Sequence, residues 1–211
     1  MIEKIINYLE TIFFLENGQD NNLKEIYLDK TSHYTRELPN FQLDKVLVSL
    51  DYEKNIKNFL KKYKFSYNKS LYKKISLYFK EFGQEFTKDL NKENVIVCGV
   101  PLHFTNYIKR GYNQTYLLAK DFAKEFSFEF EVLLYKSKYT KSQSRLPKKE
   151  RLKNLENAFK IKKKYKNKLG GKTIILIDDI ISTGTTANEI TKVLKENGAK
   201  EVIGLFLATG S

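Results

Sequence analysis

Thr173-Ile-Ile-Leu-Ile-Asp178-Asp179-Ile-Ile-Ser182-Thr183-Gly184-Thr185-Thr186 is the stretch on which the fold turns. Its aliphatic run reads as a strand buried on both faces. Two carboxylates, Asp178 and Asp179, stand at its C-terminal end, and a Ser/Thr/Gly turn leads into a helix expected over Ala187–Asn197. In open α/β sheets, ligands bind beyond the carboxyl ends of strands. The turn Ser182, Thr183, Gly184, Thr185, Thr186 aims hydroxyls and backbone N–H groups at one anion. Gly184 permits close backbone approach, and the following helix N-terminus adds positive potential. Thr186 and Glu189 fit a capping box that starts the helix there. The two carboxylates suit neighbouring hydroxyls of a sugar. Taken singly, these residues also read as turn and cap residues. In this order they describe a site for a sugar bearing a phosphate.

Working outward, Val95–Val100 is a second continuous apolar run, closed by Pro101 and expected to be another buried strand. Shorter strands are expected at Val46–Leu50, Val132–Tyr135 and Glu201–Ala208. Helical spacing of apolar residues predicts helices through Ile2–Phe13, Ile56–Tyr63, Leu71–Phe86 and 113–126. Residues 16–45 are polar and read as irregular or as a weak hairpin. Strands alternating with helices predict an α/β fold, a mostly parallel sheet flanked by helices. The expected division is a small N-terminal appendage over 1–45 and one domain over 46–211.

At 211 residues the chain holds one domain, or one with a small addition, against a typical domain of about 150. Being 41% hydrophobic, it can bury a core without disulfides. The single cysteine, Cys98, excludes an intrachain disulfide and a four-cysteine zinc site, and His33 and His103 are the only histidines. No zinc is therefore expected, and Cys98 reads as an inert core thiol. No apolar run approaches the roughly 18 residues of a membrane span. Met1–Asn17 lacks a signal-peptide core, so a cytoplasmic location is expected.

The formal net charge is +13, and nearly all of it lies in one segment. Residues 136–168 hold fourteen Lys and Arg against Glu150 and Glu156, a surplus of twelve. A solvated surface would account for such a run by itself. A segment that meets phosphates is the functional reading, with Lys136, Lys138, Lys141, Arg145, Lys148, Lys149, Arg151, Lys162, Lys163 and Lys164 as candidate nucleic-acid contacts. Tyr135, Tyr139, Phe159 and Tyr165 are interleaved candidates for stacking on bases. The part around 137–149 reads as an arm that orders only when a pyrophosphate-bearing ligand is present.

The run at 173–186 resembles the phosphoribosyl-pyrophosphate (PRPP) motif of type I phosphoribosyltransferases. Val100-Pro101-Leu102-His103, then Arg110-Gly111-Tyr112-Asn113-Gln114 and Leu117-Leu118-Ala119, are similar to the corresponding segments of the ComF family. Lys136, Thr140, Gln143, Glu150-Arg151, Asn154 and Ala158-Phe159 resemble that family's central stretch. Unlike many members, the chain has no N-terminal four-cysteine zinc ribbon.

The resemblance implies that Asp178 and Asp179 are the catalytic pair and bind the ribose hydroxyls. It implies that Ser182, Thr183, Gly184, Thr185 and Thr186 hold the 5-phosphate, and that Pro101, Leu102 and His103 lie near the pyrophosphate. Arg110 suits either a phosphate or an acidic partner, and His103 either the leaving group or its own turn. Magnesium would enter with PRPP, with no protein metal ligand assigned. The family is linked to DNA uptake in natural transformation. Implied partners are PRPP or a ribose 5-phosphate nucleotide, single-stranded DNA, and other DNA-uptake proteins at the inner membrane. Two functions remain open: a PRPP-binding protein of DNA uptake that also binds single strands, or a phosphoribosyltransferase acting on an unknown nucleobase or amine without a DNA role.

Overall fold

The two apolar runs become neighbours. In a computed structural model, which describes residues 28–38, 40–50, 69–140 and 154–209, strand β3 (Val95–Gly99) lies parallel to β7 (Thr173–Ile181), with Val95 opposite Thr173 and Gly99 opposite Ile177. The full sheet has the order β1-β2-β8-β7-β3-β4, with β1 (Leu28–Asp29), β2 (Lys45–Leu50), β4 (Glu129–Phe130) and β8 (Glu201–Thr209). Every pairing in it is parallel except β1 with β2. A separate antiparallel ribbon joins β5 (Leu134–Lys136) to β6 (Phe159–Ile161).

Parallel strands buried on both faces need cover on both sides, and the core divides accordingly. Val95, Val97, Ile175, Ile177, Ile203 and Leu205 face α2 (Lys69–Phe86) and α4 (Gln114–Phe126), through Ile75, Phe79, Leu118 and Phe122. Ile96, Cys98, Ile174, Leu176, Val202 and Phe206 face α5 (Thr185–Glu196) and the β5–β6 ribbon, through Ile190, Leu194, Leu134 and Phe159. Burial pushes the Cys98 thiol up to about 12, which leaves it protonated and unreactive near neutral pH. Among the described residues no helix is long and apolar enough to cross a membrane.

From β3 the chain passes through α4 to β4 on one side. From β7 it passes through α5 to β8 on the other. The boundary between β3 and β7 is thus the point where the winding direction reverses, the place where open α/β sheets form a crevice.

Several expectations change. Strand β7 runs to Ile181 rather than ending at Ile177, because β8 keeps pairing with it as far as Thr209. Helix α5 begins at Thr185 with Gly184 as its N-cap, so Thr186 lies inside the helix rather than at the cap position the expected capping box with Glu189 requires. The strand placed at Val132–Tyr135 is Leu134–Lys136. Within the stretch read as irregular, Thr31–Glu37 form helix α1, and Tyr34 and Leu43 enter the core. Helix α3 (Phe104–Arg110) has no buried residue, so it carries none of the core-facing periodicity by which a helix is read from sequence. The helices expected at 2–13 and 56–63 lie outside the described residues.

Candidate functional site

Strand β3 stops at Gly99 while β7 continues, so among the described residues no strand lies beside β7 beyond Ile177 on that side. The chain leaving β3 is fixed by main-chain hydrogen bonding. Val100 N–H donates to Ile177 O at 3.0 Å. Val100 O accepts from Thr115 Oγ1 at 2.7 Å and Asn113 Nδ2 at 3.1 Å. A Cβ on Gly99 would fall 2.7 Å from the Thr115 carbonyl, so only glycine lets α4 approach this closely. Asn113 is buried and also caps α4, its Oδ1 accepting from Thr115 N–H at 3.2 Å.

The turn after β3 and the open edge of β7 enclose a cleft of about 210 Å³. Its walls bring together Pro101, Leu102, His103 and Arg110 with Asp178, Asp179 and Thr186. Seven residues from three separate sequence blocks therefore meet at one point. Asp178 is half-buried and Asp179 buried, and Asp178 Oδ1 accepts the N–H of Asp179 at 2.8 Å. Neighbours on a strand point to opposite faces, yet both carboxylates line the cleft. The alternation breaks here, since Ile177 and Ile180 pack on the same cluster and Ile181 crosses to the other.

Ser182, Thr183, Gly184 and Thr185 form the turn beside the cleft rather than its lining. Thr183 and Thr185 share a hydroxyl hydrogen bond of 2.9 Å. Gly184 has φ +72°, which places the turn against residues 34–41. A Cβ there would meet Leu38 Cδ1 and Tyr34 Cδ1, each at 3.0 Å, and Phe41 Cε2 at 3.4 Å. The Tyr34 hydroxyl donates to Ile181 O at 3.3 Å, and burial raises its pKa to about 12. Tyr34, Leu38 and Phe41 thus form a wall behind the Ser182–Thr185 turn, a role invisible in the sequence.

His103 caps α3, its Nδ1 accepting from Thr105 N–H at 3.3 Å, so the neutral ring carries its proton on Nε2. The turn-stabilising role is thereby filled. Arg110 lines the cleft with Nη1 3.4 Å from Gln114 Oε1. Among the described residues there is no group of three or more His, Cys, Asp or Glu that could hold a metal ion. The two adjacent carboxylates suit a magnesium ion only if the ligand supplies most of its oxygens.

Charge density groups Lys136 with the nucleic-acid contacts, but it lines this cleft. Burial lowers its ammonium pKa from the ordinary lysine value, and the Asp178 carboxylate opposes that shift. Because the folded value lies below the unfolded one, the charged form is disfavoured in the free site, and stability rises with pH between the two values. A bound anion favours the charge again. Affinity for inorganic pyrophosphate is therefore expected to fall as pH rises toward the ordinary lysine range, because burial brings the loss of the Lys136 charge below that range. Lys136→Met is expected to bind several-fold more weakly at pH 8 and to lose the part of the pH dependence that the Lys136 ammonium contributes, read by calorimetry. A wild-type profile parallel to the variant's would remove Lys136 from the site.

Other basic candidates separate. Lys138 is exposed and bonds to Glu156 O at 3.1 Å. Lys162 and Lys163 lie at the far end of the ribbon from Lys136, and Lys164 pairs with Glu131 at 3.4 Å. Lys141, Arg145, Lys148, Lys149, Arg151 and most of the arm lie outside the described residues. The stacking candidates also divide. Phe159 is 3% exposed, and Tyr165 packs on the core with its hydroxyl bonded to Glu131. Tyr135 and Tyr139 are exposed. Asn106 and Thr115 are cleft residues that the sequence does not single out, and Phe159, which the sequence offers as a stacking candidate, is a cleft residue too. The position of Phe159 opposite Lys136 across the ribbon explains its presence.

Comparison with known proteins bears on the same region. Residues 113–210 match the model of the phosphoribosyl transferase domain. Competence protein F of Haemophilus influenzae is 35% identical over 107 residues, covering 50% of this chain and 46% of that protein. Competence protein ComFC of Streptococcus pneumoniae is 34% identical over 151 residues, covering 72% and 62%. The chain thus spans about half the length of the first relative and less than two thirds of the second. A crystal structure of adenine phosphoribosyltransferase superposes with a TM-score of 0.45 at 18% identity, covering 90% of this chain and 88% of that one. With α4, strand β7 and the turn that follows it inside a phosphoribosyl transferase domain, and with two competence proteins as relatives, the chain carries that domain and is similar to competence proteins of the ComF family.

Proposed function

We propose that the cleft binds PRPP with magnesium, and that the protein serves DNA uptake and binds single-stranded DNA. The observation that carries the first part is the meeting of the Pro101–His103 turn, Lys136 and the Asp178–Asp179 pair around one crevice, with the Thr186 end of the turn beside it. In this reading Asp178 and Asp179 accept hydrogen bonds from the ribose hydroxyls. The Ser182–Thr186 turn and the N-terminus of α5, whose N-cap is Gly184, take the 5-phosphate. Arg110 and Lys136 face the pyrophosphate, whose charge magnesium shares. The DNA-uptake role rests on the names of the relatives, competence protein F and competence protein ComFC.

A half-buried cation beside a pyrophosphate also suits transfer, the second reading. There the bond from the anomeric carbon to the pyrophosphate oxygen breaks, and pyrophosphate leaves with the electron pair. The lone pair of an acceptor nitrogen forms the new bond. Lys136 and Arg110 would stabilise the charge that develops on the leaving group, and the acceptor is unassigned.

A thermal-shift screen of PRPP, nucleotides and a thymidine oligonucleotide, each with and without magnesium, tests the proposal. Ligand at about 100 times its Kd stabilises by about 2.7 kcal/mol, worth roughly 5 °C or more in a chain of this size. Such a rise is expected with PRPP and magnesium together. No rise with PRPP under either condition would overturn the reading.

A further inference from the structure

Among the described residues six large apolar side chains are substantially exposed: Leu77, Phe104, Tyr107, Ile108, Tyr135 and Tyr139. All but Leu77 fall in two short segments, 104–108 and 135–139. These segments are joined in space. His103 and Lys136 form a parallel β-bridge, and the His103 and Tyr139 rings meet edge to face with centroids 5.4 Å apart. On α3 the exposed positions 104, 107 and 108 share one face, and Phe104 is 69% exposed, Tyr139 64%. A cluster of this kind marks an interaction surface.

The charge around it selects the partner. No Asp or Glu occurs from Pro101 to Lys120 or from Val132 to Lys149, whereas Lys109, Arg110, Lys136 and Lys138 all lie there. Rings beside Lys109, Arg110, Lys136 and Lys138, on segments that carry no carboxylate of their own, fit unpaired bases on a phosphodiester chain. Every base has a π-face to stack, and the lysines meet the backbone. The Lys160–Lys168 run provides charge without an open ring. Phe159 is buried under Lys136, and Tyr165 is engaged by Glu131 and Lys164.

We propose that single-stranded DNA docks on the face formed by α3 and residues 135–139, its bases stacking on Phe104, Tyr107 and Tyr139 at the mouth of the cleft. This rests on the reading that the chain binds single strands, and it moves their site away from the lysine run.

Fluorescence anisotropy of a labelled oligothymidylate of about 20 nucleotides, with the full chain at about 0.15 M salt, tests it. Phe104→Ser/Tyr107→Ser/Tyr139→Ser is expected to bind about tenfold more weakly or worse, with an unchanged slope of log affinity against log salt. Phe104→Tyr is expected to bind as wild type, so a folding defect in the triple variant would not hide the result. Lys162→Glu/Lys163→Glu/Lys166→Glu is expected to flatten the slope while losing less affinity than the triple variant. If the triple variant binds as wild type and the lysine variant does not, the docking face is wrong and DNA binding stands. If wild type does not bind the oligonucleotide, both fail. If sedimentation shows a wild-type dimer that the triple variant loses, with equal DNA affinity in both, the face joins two copies of the chain and the proposal is overturned.

Discussion

Asp178→Asn/Asp179→Asn is expected to bind PRPP about fivefold more weakly than wild type, or worse, while keeping its fold. Two effects oppose each other. Replacing a charged acceptor by a neutral one costs about 1 kcal/mol or more per hydrogen bond, since bonds to charged groups contribute about 1.5–3 kcal/mol against about 0.5–1.5 for neutral ones. Removing a negative charge also relieves repulsion from the ligand's phosphates, by roughly 0.5 kcal/mol for a unit pair about 8 Å apart in water. Both effects act at both positions and the first is the larger, leaving a net loss of about 1 kcal/mol, about fivefold. The fold survives because a carboxamide oxygen at position 178 can still accept the N–H of residue 179, as the Asp178 carboxylate does. Equilibrium dialysis with labelled PRPP measures the ratio, and equal affinity of a folded double variant would remove both carboxylates from the site.

Gly184→Val is expected to abolish PRPP binding altogether, and the structure changes the reason. The sequence suggests that a side chain there would fill the phosphate nest. Instead a Cβ at Gly184 points at Leu38, Tyr34 and Phe41, with 3.0 Å to the first two. Valine adds two methyl groups in that direction and is strained at φ +72°. The turn must then leave its wall, carrying Ser182 and Thr183 away from Asp178 and Asp179. Gly171→Ala is the control. Its φ is +75° and nothing lies within 4 Å of the added Cβ, so it meets the backbone strain without the collision. It is expected to bind PRPP as wild type. Saturable binding by Gly184→Val at wild-type affinity, in the same dialysis assay, would show that the turn does not hold the ligand.

What is legible in the sequence follows from where the physics is local. Val95–Gly99 and Thr173–Ile177 announce themselves because a strand buried on both faces must be apolar throughout. Asp178, Asp179 and the 182–186 turn stand out because polar residues interrupt such a run at a strand end. Helix α3 escapes a core-based reading because it is only seven residues long and its apolar residues Phe104, Tyr107 and Ile108, though helically spaced, face outward. The wall formed by Tyr34, Leu38 and Phe41 is hidden for a different reason. Its contacts span about 145 residues of chain, as in the bond from Tyr34 to Ile181, and no local pattern encodes them. Lys136 shares the charge density of its lysine neighbours and cannot be told from them in sequence. Only the pairing of Lys136 with Phe159, and the bridge to His103, turn it into the cleft.

The central claim is that this cleft is a PRPP site. Isothermal titration of PRPP into the full chain, in magnesium and again in a chelator, tests it most directly. The account predicts saturable heat at one site per chain in magnesium, and binding weakened when the metal is removed. Heat no greater than dilution in both buffers, at protein and ligand concentrations that would reveal a Kd of about 1 mM, would contradict it.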